Sequence, residues 1–256
     1  MKKSIIANCV LLTFILGVNE GRILAQTFAT TLGGISDDMG TSIVQTTDGG
    51  YAVAGVTNSY GTGGDFYVVK LNSSGIVQWT RTIGGGGSET AHSIAQTNDG
   101  GLVVAGDTWT YGAGIADFYV VKLDAGGNVL WTRTIGGTNV ELGPYTIIGT
   151  SDGGCAMVGR TYSFTVAGVT AYELYVVKLN AAGALQWTRI VGGDMSVFGK
   201  GSPRGIVQTS DGGYAVAGYA EAVGGDHDVY IFKLNSAGSL LWTRLVGDWG
   251  YDDGNS

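Results

Sequence analysis

The fold is decided by a stretch that occurs first as SIVQTTDGGYAVAG at residues 42–55. Related stretches follow at 93–106, 146–159 and 205–218, and after each come an apolar strand with a late lysine and a strand with a tryptophan. These tryptophans are 52, 56 and 55 residues apart: Trp79, Trp131, Trp187 and Trp242. So regular a period is typical of a protein built from copies of one supersecondary unit.

Each copy predicts four strands, which in the first copy span 42–46, 51–57, 66–71 and 76–83. Asp48-Gly-Gly50 favours the positive φ angles of a tight hairpin turn, and Gly75 closes a second short turn. No segment has a useful helical periodicity. A four-stranded meander with strands apolar on both sides suits a propeller blade, which neighbours cover on both faces. The alternative is a β-solenoid, whose coils are usually shorter and lack two hairpins per turn.

The predicted fold class is therefore all-β, a β-propeller with units at about 35–85, 86–137, 138–193 and 194–247. Residues 28–34 match the fourth strand of a unit and predict a lone strand before the first unit, whereas 248–256 resemble the start of a further unit. The ring is then incomplete. We favour a truncated chain of a larger ring, and the alternative is an oligomer in which another copy pairs with the open edges.

The N-terminus predicts export. Lys2 and Lys3 precede an apolar run, and Ala25 offers a cleavage site, so residues 1–25 are predicted to be a secretory signal peptide. The alternative, a membrane anchor, needs a longer run of about 20 residues. We therefore expect a secreted, cell-surface or periplasmic protein, with no membrane insertion of the mature chain. Cys155 is the cysteine left after cleavage, and we expect it to fill the core.

The mature chain is acidic. Removing residues 1–25 lowers the basic count from 14 to 11 and the acidic count from 21 to 20, which gives a net charge of −9. Such a surface repels phosphate backbones and anionic lipids. The sequence therefore predicts no nucleic-acid partner. It also predicts no metal and no cofactor, because no motif for either is present.

The repeats resemble those of secreted bacterial and archaeal β-propeller proteins with recurring "SIxQTxDGGY" and "KLxxxGxxxW" segments. The resemblance covers residues 28–256, and the third copy departs most, with Cys155 at the tyrosine position. It implies a fold and an exported location. It implies no particular chemistry, because propellers perform many unrelated functions.

Charged residues recur at fixed places in each copy. We expect Lys70 and Arg81, with their equivalents, to form an interior ladder in which they pair with acids such as Asp65, Asp117 and Asp226 and lie along tryptophan. The alternative is a ring of cations that binds an anion. Asp48 and its equivalents are expected to cap their own turns. The two histidines, His92 and His227, stand in different copies without a motif and are expected to be exposed loop residues.

Loop length indicates where a ligand binds. The turns within the two hairpins are short and similar between copies, whereas the loops at the opposite end of each unit are long and variable. Variable loops on a fixed scaffold usually carry specificity. The candidate ligand-binding residues on this long-loop face are Tyr60, Asp107, Trp109, Tyr111, Tyr162 and Tyr172. The alternative is that these rings pack between blades.

Three functions remain open from the sequence. The first is an exported binding or scaffolding module for a protein or glycan ligand. The second is an enzyme acting on polysaccharides or glycosides through loop carboxylates such as Asp107, Glu141 and Glu221. The third is a passive cell-surface domain. No catalytic residue is assigned, and we expect binding rather than catalysis.

Overall fold

A computed structural model describes residues 31–164, 172–192, 199–221 and 227–247. The described residues form sixteen strands and contain no helix, hence none that is long and apolar enough to cross a membrane. In chain order the strands are β1 (Asp38–Gln45), β2 (Tyr51–Thr57), β3 (Asp65–Leu71), β4 (Val77–Ile83), β5 (Glu89–Gln96), β6 (Leu102–Thr108), β7 (Asp117–Leu123), β8 (Val129–Ile135), β9 (Glu141–Gly149), β10 (Cys155–Thr161), β11 (Glu173–Leu179), β12 (Leu185–Val191), β13 (Gly199–Gln208), β14 (Tyr214–Glu221), β15 (His227–Leu234) and β16 (Leu240–Val246).

The strands form four separate sheets, each a four-stranded antiparallel meander in chain order. We call them blades 1 to 4. The predicted all-β fold of four propeller units is confirmed, and a solenoid is not what forms. The blades do not close a ring among the described residues. The predicted signal peptide and the start of a further unit at 248–256 lie outside the described residues. So do residues 28–30 of the predicted lone strand, and 31–34 form no strand.

The first strands of the blades lie at the inner edge of the array. β1 contacts β5, β5 contacts β9 and β9 contacts β13, and the Thr41 hydroxyl donates a 2.7 Å hydrogen bond to the Ala91 carbonyl across the first of these seams. The first strand begins at Asp38, four residues before the predicted start, because a bulge at Thr41 interrupts the alternation from which a strand is predicted.

Apolar side chains of the second and third strands fill the space between neighbouring blades. The ring of Phe66 in blade 1 packs on Tyr119 in blade 2 at 5.3 Å, and Phe118 in blade 2 packs on Tyr175 in blade 3 at 5.5 Å. Each buried cluster joins two adjacent blades. β6 and β7 are buried along their whole length, as expected for strands covered on both faces. Cys155 lies in one of these clusters and fills the core as predicted.

The recurring lysines pair with the turn aspartates, and not with Asp65 or Asp117 as the sequence suggested. Lys122 Nζ lies 2.8 Å from Asp99 Oδ1, and the other three copies repeat this ion pair: Lys70–Asp48, Lys178–Asp152 and Lys233–Asp211. The antiparallel register places the end of the third strand beside the first hairpin turn, which explains the partner. Asp48 also accepts a 2.9 Å hydrogen bond from the Gly50 amide, which confirms the predicted turn cap.

The strands that carry the repeated tryptophan form hydrogen bonds to the next blade. Trp79 Nε1 donates to the Ala125 carbonyl at 3.2 Å, and Arg81 Nε donates to the Gly127 carbonyl at 2.6 Å. The same tryptophan bond recurs from Trp131 and Trp187. Arg81, Arg133 and Arg189 therefore bind backbone carbonyls of a turn in the next blade. They lie along tryptophan as predicted, and Arg81 Cζ is 5.6 Å from the centroid of the Trp79 ring. Among the described residues they form neither the predicted ion pairs with acids nor a ring of free cations.

Candidate functional site

Of the aromatic residues predicted to bind a ligand in blades 1 and 2, two hold loops in place and one is exposed. Tyr60 Oη donates to the Gly33 carbonyl at 3.0 Å, and Tyr111 Oη donates to the Gly84 carbonyl at 2.9 Å. Their rings also pack on the core tyrosines Tyr67 and Tyr119 at 5.7 and 5.5 Å. These two residues therefore hold the long loops against the scaffold. Trp109 is half exposed in the same loop of blade 2.

Tyr162 and Tyr172 come together in blade 3. Both are partly buried, and their rings meet edge to face at 5.4 Å. Tyr172 immediately precedes β11, and Tyr162 immediately follows β10, so the two strand ends bring the rings together. Asp107 of blade 2 was also predicted to be a loop residue of the long-loop face. It lies in β6 instead, because this second strand of the blade continues to Thr108.

Two strand positions change chemical class from blade to blade, whereas the isoleucine two residues after the first position and the glycine before the second position are the same in all four copies. The first is the bulge in the first strand, which is occupied by Thr41, His92, Tyr145 and Arg204. The second follows the repeated glycine of the second strand and is occupied by Val56, Asp107, Arg160 and Tyr219. Both positions lie at the long-loop end of the inner strands. Bulges frequently redirect side chains beside functional sites.

In blades 2, 3 and 4 the residues at these two positions pair with each other. His92 Nε2 hydrogen-bonds Asp107 Oδ1. Arg160 Cζ lies 5.4 Å from the ring centroid of Tyr145, and Arg204 Cζ lies 5.4 Å from that of Tyr219. We call these six residues the bulge band: His92, Asp107, Tyr145, Arg160, Arg204 and Tyr219. In blade 1, by contrast, the Thr41 hydroxyl binds only backbone carbonyls among the described residues.

The bulge band continues from blade to blade. The His92 ring lies 6.0 Å from the Tyr145 ring across the seam between blades 2 and 3. Arg160 also lies over Tyr172, with Cζ 4.2 Å from the ring centroid. Burial raises the pKa of Tyr172, while the Arg160 cation lowers it and the neighbouring Tyr162 and Tyr219 raise it. Blades 2 to 4 thus share one aromatic and cationic surface.

Arg160 is a cation of this surface without a polar partner among the described residues. Its Nε is buried and has no hydrogen-bond acceptor among them, and it forms no ion pair with any of them. Asp107, the acid of the bulge band, is bound by His92. A buried donor without an acceptor costs free energy, about 1–3 kcal/mol. Arg160 is therefore held in place by rings and retains unused hydrogen-bonding capacity.

The remaining candidate carboxylates have structural surroundings. Glu141 is fully buried in β9, where Oε1 accepts from the Thr161 hydroxyl at 2.7 Å and Oε2 accepts from the Gly137 amide at 2.9 Å. Glu221 ends β14, and its side chain lies outside the described residues. The carboxylates proposed as loop groups thus belong to strands, and a polymeric substrate has no access to Glu141.

Buried carboxyl groups meet at the seams between blades. Asp117, the first residue of β7, faces Glu141, the first residue of β9, and Asp65 faces Glu89 in the same way across the preceding seam. Asp117 Oδ2 accepts from the Gly114 amide at 3.1 Å, but Oδ1 is buried without a donor among the described residues. Burial first, and the Glu141 carboxylate second, raise the pKa of Asp117.

This pair gives a pH-dependent prediction. A carboxyl group with a raised pKa in the folded state stabilises the fold fully below its unfolded pKa of about 3.9, and this stabilisation is lost as the pH rises through the folded pKa. We expect the urea midpoint to rise as the pH falls from 7 towards 4.5, and Asp117→Asn to weaken that rise. The pKa of an aspartate paired with lysine, such as Asp99, is lowered, so the contribution of these aspartates to stability changes only at more acidic pH. Equal slopes in both proteins would contradict the prediction.

A deep pocket does not accompany the bulge band in the part of the chain that the structure describes. A cleft between blades 3 and 4, lined by Tyr172, Leu174 and Tyr230, encloses about 10 Å³, which is room for a single water molecule. No three His, Cys, Asp or Glu side chains of the described residues are grouped as a metal site would require.

The sequence predicted one residue of the bulge band and two tyrosines beside it, and it did not predict the other five residues of the band. Asp107, Tyr162 and Tyr172 were predicted from loop position. His92 was expected to be an exposed loop residue, yet it lies in β5 with 26% of its side chain exposed and is bound to Asp107. An alignment of the four copies would have found the others, because the residue class changes at two aligned positions. These positions hold Tyr145, Arg160, Arg204 and Tyr219.

Comparison with solved structures shows similar chains of low identity. The WD40 domain of Neurospora crassa Pan2 is 9% identical, with 80% of this chain and 65% of that chain covered and a TM-score of 0.48. A single-residue mutant of the Synechocystis apocarotenoid oxygenase is 14% identical, with 80% and 48% covered and a TM-score of 0.44. The chain spans less than two thirds of the length of either structure.

Comparison with curated proteins gave no match. A family described as "Domain of unknown function (DUF5122) beta-propeller" matches residues 46–75 and 97–129. Each matched segment runs from the first hairpin turn of a blade to its second hairpin turn, in blades 1 and 2. Together with the four meander sheets, this match shows that the chain is a β-propeller repeat protein.

Proposed function

We propose that the chain is an exported module that binds a protein or glycan ligand on the bulge band at the long-loop end of blades 2 to 4. The observation that carries the proposal is the concentration of chemical variation at the two bulge-linked positions. The isoleucine two residues after the first position and the glycine before the second are the same in all four blades, whereas His92, Tyr145 and Arg204 replace one another and differ in their contacts.

The composition of the surface suits binding. Tyrosine rings offer large contact areas at low cost in side-chain entropy, and arginine and tyrosine are enriched where binding energy concentrates. Export is supported by the basic, apolar and small-residue sequence of residues 1–25. Among the described residues the candidate carboxylates Asp107 and Glu141 are already bound by His92 and Thr161, which favours binding over hydrolysis.

The test is a screen of the purified chain against arrays of neutral glycans, acidic glycans and extracellular proteins, followed by two tyrosine variants. We expect Tyr172→Ala to reduce the affinity for the ligand at least about tenfold, because its ring lies beside the bulge band and packs on Arg160. Tyr60→Ala is the matched control, since Tyr60 holds a loop of blade 1. Absence of any ligand, or equal effects of both variants, would overturn the proposal in favour of a passive surface domain.

A further inference from the structure

We propose that the ligand of the bulge band is an acidic glycan, bound through the carboxylate of a uronic acid unit by Arg160. This inference rests on the proposed function and names the class of its ligand. It starts from Arg160, whose guanidinium group lies 4.2 Å from the Tyr172 ring and 5.4 Å from the Tyr145 ring and has no acidic partner among the described residues.

The charge of the band favours an anionic group of the ligand. Arg160 and Arg204 contribute two positive charges and Asp107 one negative charge, so the band carries a net charge of +1 when His92 is counted as neutral. The whole chain carries −7, so the band is a local excess of positive charge. The carboxylate of one sugar unit placed at the band balances this excess.

Arginine chemistry indicates a carboxylate. The guanidinium group is a planar fork of donors that matches the two oxygens of a carboxylate, and charge-assisted pairs of this kind are stronger than neutral hydrogen bonds. Stacking against Tyr145 and Tyr172 restricts the rotation of the fork before any ligand arrives.

The aromatic flank favours a sugar ring over an acidic peptide. Tyr145 and Tyr172 present amphipathic rings beside Arg160, Tyr162 packs on Tyr172, and Tyr219 lies beside Arg204. Such rings pack on apolar faces while their hydroxyl groups bind polar ones. A pyranose ring has an apolar face and a rim of hydroxyl groups.

The test measures binding by isothermal titration calorimetry with trisaccharides of galacturonate, glucuronate, mannuronate and guluronate. Each is compared with its methyl ester, which keeps the ring and removes the charge, and hexaglutamate serves as the peptide probe. We expect one uronate trisaccharide to bind, its ester to bind at least about tenfold more weakly, and Arg160→Gln to cause a similar loss, as expected for removal of a charge-assisted pair.

Two variants separate the site from general effects. Arg160→Lys keeps the charge but loses the fork, so we expect an intermediate loss of affinity. Arg244→Gln removes the same charge from β16 of blade 4 and is expected to stay within about twofold of the parent protein. Thermal unfolding of each variant checks that the fold is retained.

The outcomes separate this inference from the proposed function. Equal binding of acid and ester, or binding of neutral glycans that Tyr172→Ala weakens, overturns the acidic glycan and leaves the binding module standing. Binding of hexaglutamate but of no uronate assigns the band to acidic peptides and overturns the inference. Binding of none of these probes also overturns it, and the array screen then decides the proposed function separately.

Discussion

Gly106→Ala is expected to destabilise the protein by about 3 kcal/mol or more, the upper end of the cost of adding atoms to a packed site. Gly106 lies in β6 opposite Ala91, next to the bulge at His92. A Cβ at this position would overlap the Thr90 carbonyl oxygen and lie 2.8 Å from the Ala91 Cα. These atoms are backbone, so the first two strands of blade 2 would have to separate.

The matched control is Gly86→Ala. No atom lies within 4 Å of a Cβ at this position, so we expect a change of less than about 0.5 kcal/mol in the free energy of unfolding. Urea denaturation followed by circular dichroism measures both variants, with the slope checked for a common unfolding transition. If the two substitutions shift the urea midpoint equally, the close approach of the strands at the bulge is not what constrains the glycine.

Phe118→Ala is expected to cost about 3–5 kcal/mol, because it removes a large side chain that is fully buried between blades. The ring packs 5.5 Å from Tyr175 of the next blade and lies close to the Cα of Gly159, where a Cβ would be only 2.8 Å from Phe118 Cε1. The cavity would therefore open at the seam between blades 2 and 3, next to Gly159, which precedes Arg160 in β10.

Leu130→Ala provides the comparison for Phe118→Ala. Leu130 lies in β8 and is 55% exposed, so its truncation is expected to change the free energy of unfolding by no more than about 0.5 kcal/mol. The same urea titration measures both proteins. A loss below about 1 kcal/mol for Phe118→Ala would show that blades 2 and 3 repack easily, and the seam would then be a weaker support for the bulge band than its packing indicates.

Local repetition explains why the sequence alone predicts the blade. The Asp48-Gly-Gly50 turn, the alternating apolar residues and the tryptophan strand are each specified within one unit, and four copies repeat the same signals. Hairpin turns and neighbouring strands depend on residues close in the chain, so their register follows from the pattern. The four sheets have the predicted strand order for this reason.

The partners of the charged residues depend on contacts that local pattern does not contain. Lys122 and Asp99 are separated by a whole strand, and Arg81 binds the carbonyl of Gly127 in another blade. Sequence reasoning assigned both cations to the wrong acids, since it lacked the register that carries Lys122 to the turn and the inter-blade packing that carries Arg81 to the next hairpin.

An all-β repeat of four-stranded units, and the end of each unit where variable residues lie, follow from the amino-acid sequence. That the pairs His92–Asp107, Tyr145–Arg160 and Arg204–Tyr219 lie side by side on neighbouring blades follows only from the three-dimensional packing. Bulges turn these side chains, and the packing of β5, β9 and β13 brings residues of different blades together, as His92 and Tyr145 show. Such contacts join residues about one repeat apart in the chain, and no local preference encodes them.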